Sequence, residues 1–166
     1  MRVIPKIIIK AREVLMIYFE LIGALVCLLI FRKNISLPTL SVVVNWLFCL
    51  YIVEMSEGIF VSNKKYFEVG EDPASFLAYI IHIAVFIPSV VLTVINMLQT
   101  RRSTLAKLGI ILIGSAVLNG GEYLLSITGA VQHTRINVVA SYTFWLLLII
   151  VSLTFHKLLH RKVQRV

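Results

Sequence analysis

The chain has 166 residues, 59% of them hydrophobic and only 14% charged, with a mean hydropathy of +0.93. That composition leaves too little polar surface for a water-soluble domain. The net charge of +8 would suit nucleic acid in another setting. Here the cations gather between apolar runs longer than the roughly 18 residues that mark a membrane span, where they set topology and meet anionic head groups, so no nucleic-acid partner is expected.

Residues 1–12, MRVIPKIIIKAR, carry Arg2, Lys6, Lys10 and Arg12 on an apolar background that suits the head-group region. The run 14–31 that follows resembles the core of a signal peptide. Glu20 interrupts it, no small-x-small cleavage site follows, and Arg32-Lys33 comes next, so it reads as an uncleaved first span. A second span over 37–61 opens with Pro38 in its first turn, where the missing N–H costs little, and contains Asn45, Glu54 and Glu57. The stretch 62–73, with Lys64, Lys65, Glu68, Gly70, Glu71 and Asp72, reads as an aqueous loop.

The third span, 74–98, sets Ser75, Tyr79, His82, Phe86, Ser89, Thr93 and Asn96 at alternating steps of four and three, a seam for packing and interhelical hydrogen bonds. Pro88 predicts a slight kink, with the Ser89 hydroxyl serving the disturbed backbone. After the basic turn 100–104, the fourth span, 105–127, bears the stripe Ser115, Asn119, Glu122 and Ser126, expected to face the bundle with Leu118 and Leu125 towards lipid. Ala116 and Gly120 have the small-xxx-small spacing that permits close helix approach. The fifth span, 137–155, continues the four-three pattern in Asn137, Ser141, Trp145, Leu148 and Ser152, and a basic tail runs from His156. Tyr123, Tyr142 and Trp145 read as interface anchors or packing residues. Cys27 and Cys49 lack any metal or redox spacing and read as packing residues. The expectation is a single membrane domain, an all-α transmembrane bundle of about five helices.

A cytoplasmic C-terminus places Arg32, Lys33, Arg101, Arg102, Lys107, Lys157, Arg161, Lys162 and Arg165 inside, leaving Lys64, Lys65 and Arg135 in the opposite loops. Five spans then put Arg2, Lys6, Lys10 and Arg12 outside, against the same rule. The tail cations Lys157, Arg161, Lys162 and Arg165 are expected to contact anionic lipid.

Glu122 is the leading site residue, because a carboxylate at membrane depth usually faces protein or a water-filled cavity. At about 1.5 Å rise per residue, Glu54, His82 and Glu122 share a depth roughly 6–9 Å to the outer side of the bilayer centre, with Glu57 and Asn119 close in height. Converging carboxylates and a histidine suit metal binding, proton relay or a cationic substrate. The bland alternatives are a structural Glu122–His82 hydrogen bond, a Glu122–Arg135 pair, and Glu54 and Glu57 reaching the interface. The chain lacks paired Glu-x-x-His motifs for a di-metal centre, so no metal or other cofactor is expected, nor any catalytic residue. His156 and His160, four apart, read as solvated residues near anionic lipid.

Phe31-Arg32-Lys33 closing the first helix, Pro88 midway along the third, Glu122 followed by Gly129, and the basic exit His156-Lys157 resemble a family of small integral membrane proteins of spore-forming Gram-positive bacteria. The resemblance covers most of the chain after residue 30 and implies a multi-pass architecture without implying a chemistry. The basic segment 1–12 and the presence of only Trp145 around the last helix depart from the family pattern. The function expected is a non-enzymatic accessory or partner-binding protein of the cell membrane, possible partners being a second copy or another membrane protein. The alternatives are a small proton- or cation-coupled transporter and a membrane-embedded metal-dependent hydrolase.

Overall fold

The computed structural model describes residues 6–33, 37–57, 67–70, 72–133 and 138–163. The chain is an all-α bundle of five helices. α1 spans Lys6–Lys33 and α2 Thr39–Glu57; the third helix is a continuous rod made of α3, Pro73–Ile81, a π-helical turn, His82–Phe86, and α4, Ile87–Thr100; α5 spans Thr104–Thr128 and α6 Val138–Val163. Two short strands, β1 (Phe67–Val69) and β2 (Val131–His133), pair antiparallel, so the connection between α2 and α3 and that between α5 and α6 are stitched together at one end. The sequence reads the first of these as an open loop; its pairing partner lies more than sixty residues away and has no local signature.

Among the described residues, four helices are long and apolar enough to cross a membrane: α2, the α3–α4 rod, α5 and α6. α1 has 28 residues, about 42 Å, and starts at Lys6 rather than at the expected residue 14; the side chains of its first eleven residues lie outside the described residues. α6 continues to Val163, so the basic stretch from His156 extends the last helix beyond the expected span end at 155. Pro38 stands just before α2, its carbonyl accepting the N–H of Val42 at 3.1 Å.

The rod is the hub. It packs on α1, α2, α5 and α6, and 72% of its apolar 18-residue stretch is buried against 22–28% of the equivalent stretches in the other three spans, whose outer faces are rows of exposed Leu, Ile and Val suited to lipid. Every member of its four-three seam from Ser75 to Asn96 is buried, as the spacing predicts. The rod starts cleanly: Asp72 caps α3 by accepting the Ser75 N–H at 2.8 Å, and Pro73 follows in the first turn. Hydrogen bonds from Ser75, side chain and backbone, hold the Asp72 carboxyl below its ordinary pKa.

Pro88 acts on the rod as a π-turn. Its ring leaves no room for the normal hydrogen bond to the preceding turn, and the ladder opens to i→i−5, with the Ile87 N–H reaching the His82 carbonyl. The Ser89 hydroxyl donates to the Val85 carbonyl at 2.6 Å, the backbone-serving role expected of it. The Thr93 hydroxyl donates within the rod to Ser89 at 2.7 Å and across to the Cys27 carbonyl of α1 at 3.1 Å. α1 therefore runs alongside the rod in the same direction, and its C-terminal end lies at the end of the bundle opposite the β-ribbon.

Close helix approach occurs elsewhere than at Ala116 and Gly120. Ala116 is exposed, and a Cβ on Gly120 would meet nothing within 4 Å. The close contacts are at Gly114, where a Cβ would stand 2.5 Å from Val94, and at Gly121, where it would stand 2.7 Å from Phe86 and 2.9 Å from His82. Small spacing marks a permissive helix face but does not say which way that face points. Leu118 and Leu125 likewise belong to the interior rather than to lipid, both being almost fully buried between α5 and its neighbours. α5 ends at Gly129, whose φ of 85° is the left-handed conformation that glycine adopts without a Cβ penalty, with its N–H bonded to the Ser126 carbonyl.

Candidate functional site

The π-turn, the second half of α5 and the first turns of α6 meet around Glu122. One carboxylate oxygen of Glu122, Oε2, accepts hydrogen bonds from the Ser141 hydroxyl and from the Trp145 indole N–H, the latter at 2.6 Å. Ser141 and Trp145 are one turn apart, so one face of α6 presents both donors to a single oxygen. Indole can only donate, and a buried Trp N–H needs an acceptor. Trp145 is 5% exposed, which makes it a packing residue rather than an interface anchor.

His82 opens the π-turn and lies against α5 at Gly121, beside Glu122. Its ring stacks on Phe86, centroids 5.2 Å apart, and meets Trp145 edge-on at 6.3 Å. Trp145 in turn packs edge-to-face on Phe144 at 4.9 Å. Phe86 is wedged between Gly121 of α5 and Gly23 of α1, where a Cβ would come within 2.9 Å of its ring. A carboxylate is thus held at one edge of an aromatic cluster that includes a histidine.

Of the five residues chosen from sequence, the structure gathers three into this region. Glu122 and Asn119 lie half-buried on one flank of α5, and His82 is buried on the facing rod. Glu54 is exposed on the outer face of α2, so carboxylates and histidine do not converge as a set. The side chain of Glu57 lies outside the described residues, as do Arg135, proposed as an alternative partner for Glu122, and Asn137. Among the described residues no three His, Cys, Asp or Glu side chains are grouped to hold a metal ion.

A second polar cluster joins α2, α4 and α6 at the end opposite the ribbon, and it overturns the reading of His156 as a solvated residue. His156 is 5% exposed. Its Nδ1 faces the Asn45 amide nitrogen at 3.1 Å, and its Nε2 faces the Gln99 amide at 2.7 Å. The Asn45 N–H2 also donates to the Ser41 carbonyl at 2.6 Å, which fixes its orientation. Nδ1 therefore accepts, and a neutral ring that accepts there carries its hydrogen on Nε2, which faces the Gln99 amide. Next to it Phe48 of α2 stacks flat on Phe155 of α6, centroids 3.8 Å apart. His160, one turn further, is exposed and stacks loosely on His156 at 6.1 Å. Of the tail cations, Lys157 and Arg161 are exposed; the Lys162 side chain and Arg165 lie outside the described residues.

The partners Ser141, Trp145 and Asn45 stand out in the sequence as members of apolar helices able to hydrogen-bond, whereas Gln99 falls just past the expected third span and is found only by the contact it makes. Nothing local told which would meet Glu122 or His156, since that depends on the register between helices. The fold and the two clusters define a helical membrane protein whose spans are joined by buried polar contacts. Compared with protein-family models, curated proteins and solved structures, the chain finds no match in any of the three.

Proposed function

We propose that this is a multi-pass protein of the cell membrane with a structural, accessory or partner-binding role and no enzymatic activity of its own. The observation that carries this reading is the occupancy of Glu122: the one carboxylate facing the bundle among the described residues already receives two donors from α6. The His156 contacts at the other end follow the same logic, spending polar groups on helix–helix connection. The test is ion flux. Liposomes carrying the purified chain should pass protons and monovalent cations no faster than empty liposomes under an imposed pH or cation gradient. A flux that Glu122→Gln abolishes without loss of folded protein would replace this reading with the transporter.

In the same proposal the end bearing Arg101 and Lys157 faces the cytoplasm, since most Lys and Arg of the loops and tail lie there. In a Cys27→Ala, Cys49→Ala background, a membrane-impermeant thiol reagent applied to intact cells should label Tyr66→Cys and spare Ser103→Cys. The reverse pattern inverts the topology.

A further inference from the structure

We propose that the end of the bundle opposite the β-ribbon is a binding surface for anionic phospholipid head groups, built jointly by the end of α1, the α4–α5 turn and the exit of α6 rather than by the C-terminal tail alone. Three elements bring exposed cations there: Arg32 from α1, Arg101, Arg102 and Lys107 from the turn and first turn of α5, and Lys157 and Arg161 from α6.

Helix register sets the last two groups at one level. Glu122 meets Ser141; eight residues back along α5, Gly114 is level with Ile149, eight residues forward along α6. Twelve further steps along that antiparallel pair reach Arg102 on one side and Arg161 on the other. The Gln99–His156 contact brings the last turn of α4 to the same height. α1 joins them because it runs parallel to the rod, as the Gly23–Phe86 and Cys27–Thr93 contacts require.

No opposing charge is available to neutralise this ring. Residues 21–53, 73–121 and 123–166 contain neither Asp nor Glu, and Glu122 itself lies towards the ribbon end. The cations are interleaved with exposed leucines: Leu105 at 81%, Leu108 at 53% and Leu158 at 55%. A soluble anion or a nucleic acid has no use for leucine beside lysine. A phospholipid does, since its phosphate meets the cation while the upper acyl chain covers the leucine. The surface is independent of whether the polar clusters conduct ions, so its failure and the failure of the role proposed above are read from different experiments.

The test follows thermal unfolding of the full chain in neutral detergent with added phosphatidylglycerol, phosphatidylcholine or inorganic phosphate. Phosphatidylglycerol alone should raise the melting temperature, and the shift should fade as salt rises from about 0.05 M to 0.5 M, where the screening length shrinks well below 10 Å. The variant Lys157→Gln/Arg161→Gln/Lys162→Gln/Arg165→Gln should keep part of the shift. Arg101→Gln/Arg102→Gln/Lys107→Gln should lose a comparable part, with roughly tenfold or greater weakening of apparent affinity, while Lys64→Gln/Lys65→Gln, in the opposite connection, should keep it all. Equal shifts with phosphatidylcholine or with inorganic phosphate, or a shift insensitive to salt, would overturn the surface. A shift lost entirely with the tail variant and untouched in the turn variant would return it to the tail alone. If the turn variant does not fold, the lipid comparison and the salt series on the unaltered chain decide.

Discussion

Gly121→Leu should leave little folded protein in detergent, and Gly121→Ala should already lower the melting temperature clearly, while Gly120→Ala should melt at or slightly above the unaltered chain. The two glycines are neighbours with the same propensity penalty, about 1 kcal/mol relative to alanine in a helix. They differ only in what a Cβ would meet. At position 120 there is open space, so alanine recovers propensity. At position 121 the Cβ would collide with Phe86 and His82, and Phe86 has no retreat because Gly23 of α1 stands against its other edge. The converse substitution, Phe86→Ala, removes a ring that is 3% exposed and should cost about 3–5 kcal/mol by the usual reckoning for a buried aromatic. Thermal unfolding followed by tryptophan fluorescence reads all of these. Equal behaviour of the two alanine variants would show that Phe86 is not held between α1 and α5.

Glu122→Leu should destabilise the bundle and Glu122→Gln should not. Leucine leaves the Trp145 indole N–H and the Ser141 hydroxyl without their acceptor, and a buried donor so orphaned costs about 1–3 kcal/mol. Interhelical bonds in membrane proteins average nearer 0.6 kcal/mol, so the lower part of the range is expected for each. Glutamine keeps a side-chain carbonyl at the position of Oε2. The same account requires that Glu122→Leu combined with Trp145→Phe lose less than the two single losses added together, since neither partner is then left alone. Strict additivity would mean that the hydrogen bond contributes nothing to the fold.

The contrast between Glu122 and Glu54 shows where inference from sequence stops. Both are carboxylates in apolar helices, and helical rise alone predicts a common height for them. Height follows from counting residues; direction about the helix axis relative to neighbours does not. α5 turns Glu122 towards α6, whereas α2 turns Glu54 outward, with its buried face formed instead by Ser41, Asn45, Cys49 and Val53. His156 shows the same limit. A histidine on a basic exit reads as solvated until α2 and α4 are seen to close over it. Leu118 and Leu125 show it for apolar residues, because a stripe of polar side chains need not lie at the centre of the buried face.

Composition and period by themselves determined that this chain is a helical membrane protein, how many helices it has, and which face of the rod is buried. These follow from local physics: a helix must satisfy its own backbone where water is absent, and a sustained four-three repeat puts one set of side chains on one side. The tertiary structure alone decided that α5 approaches at Gly114 and Gly121, that Glu122 is held by Ser141 and Trp145, that His156 is tied to Asn45 and Gln99, and that two distant connections pair as a β-ribbon. Each of these depends on the rotation and axial register of one helix against another. Those are set by the fit of many side chains at once, and no single segment of sequence carries them.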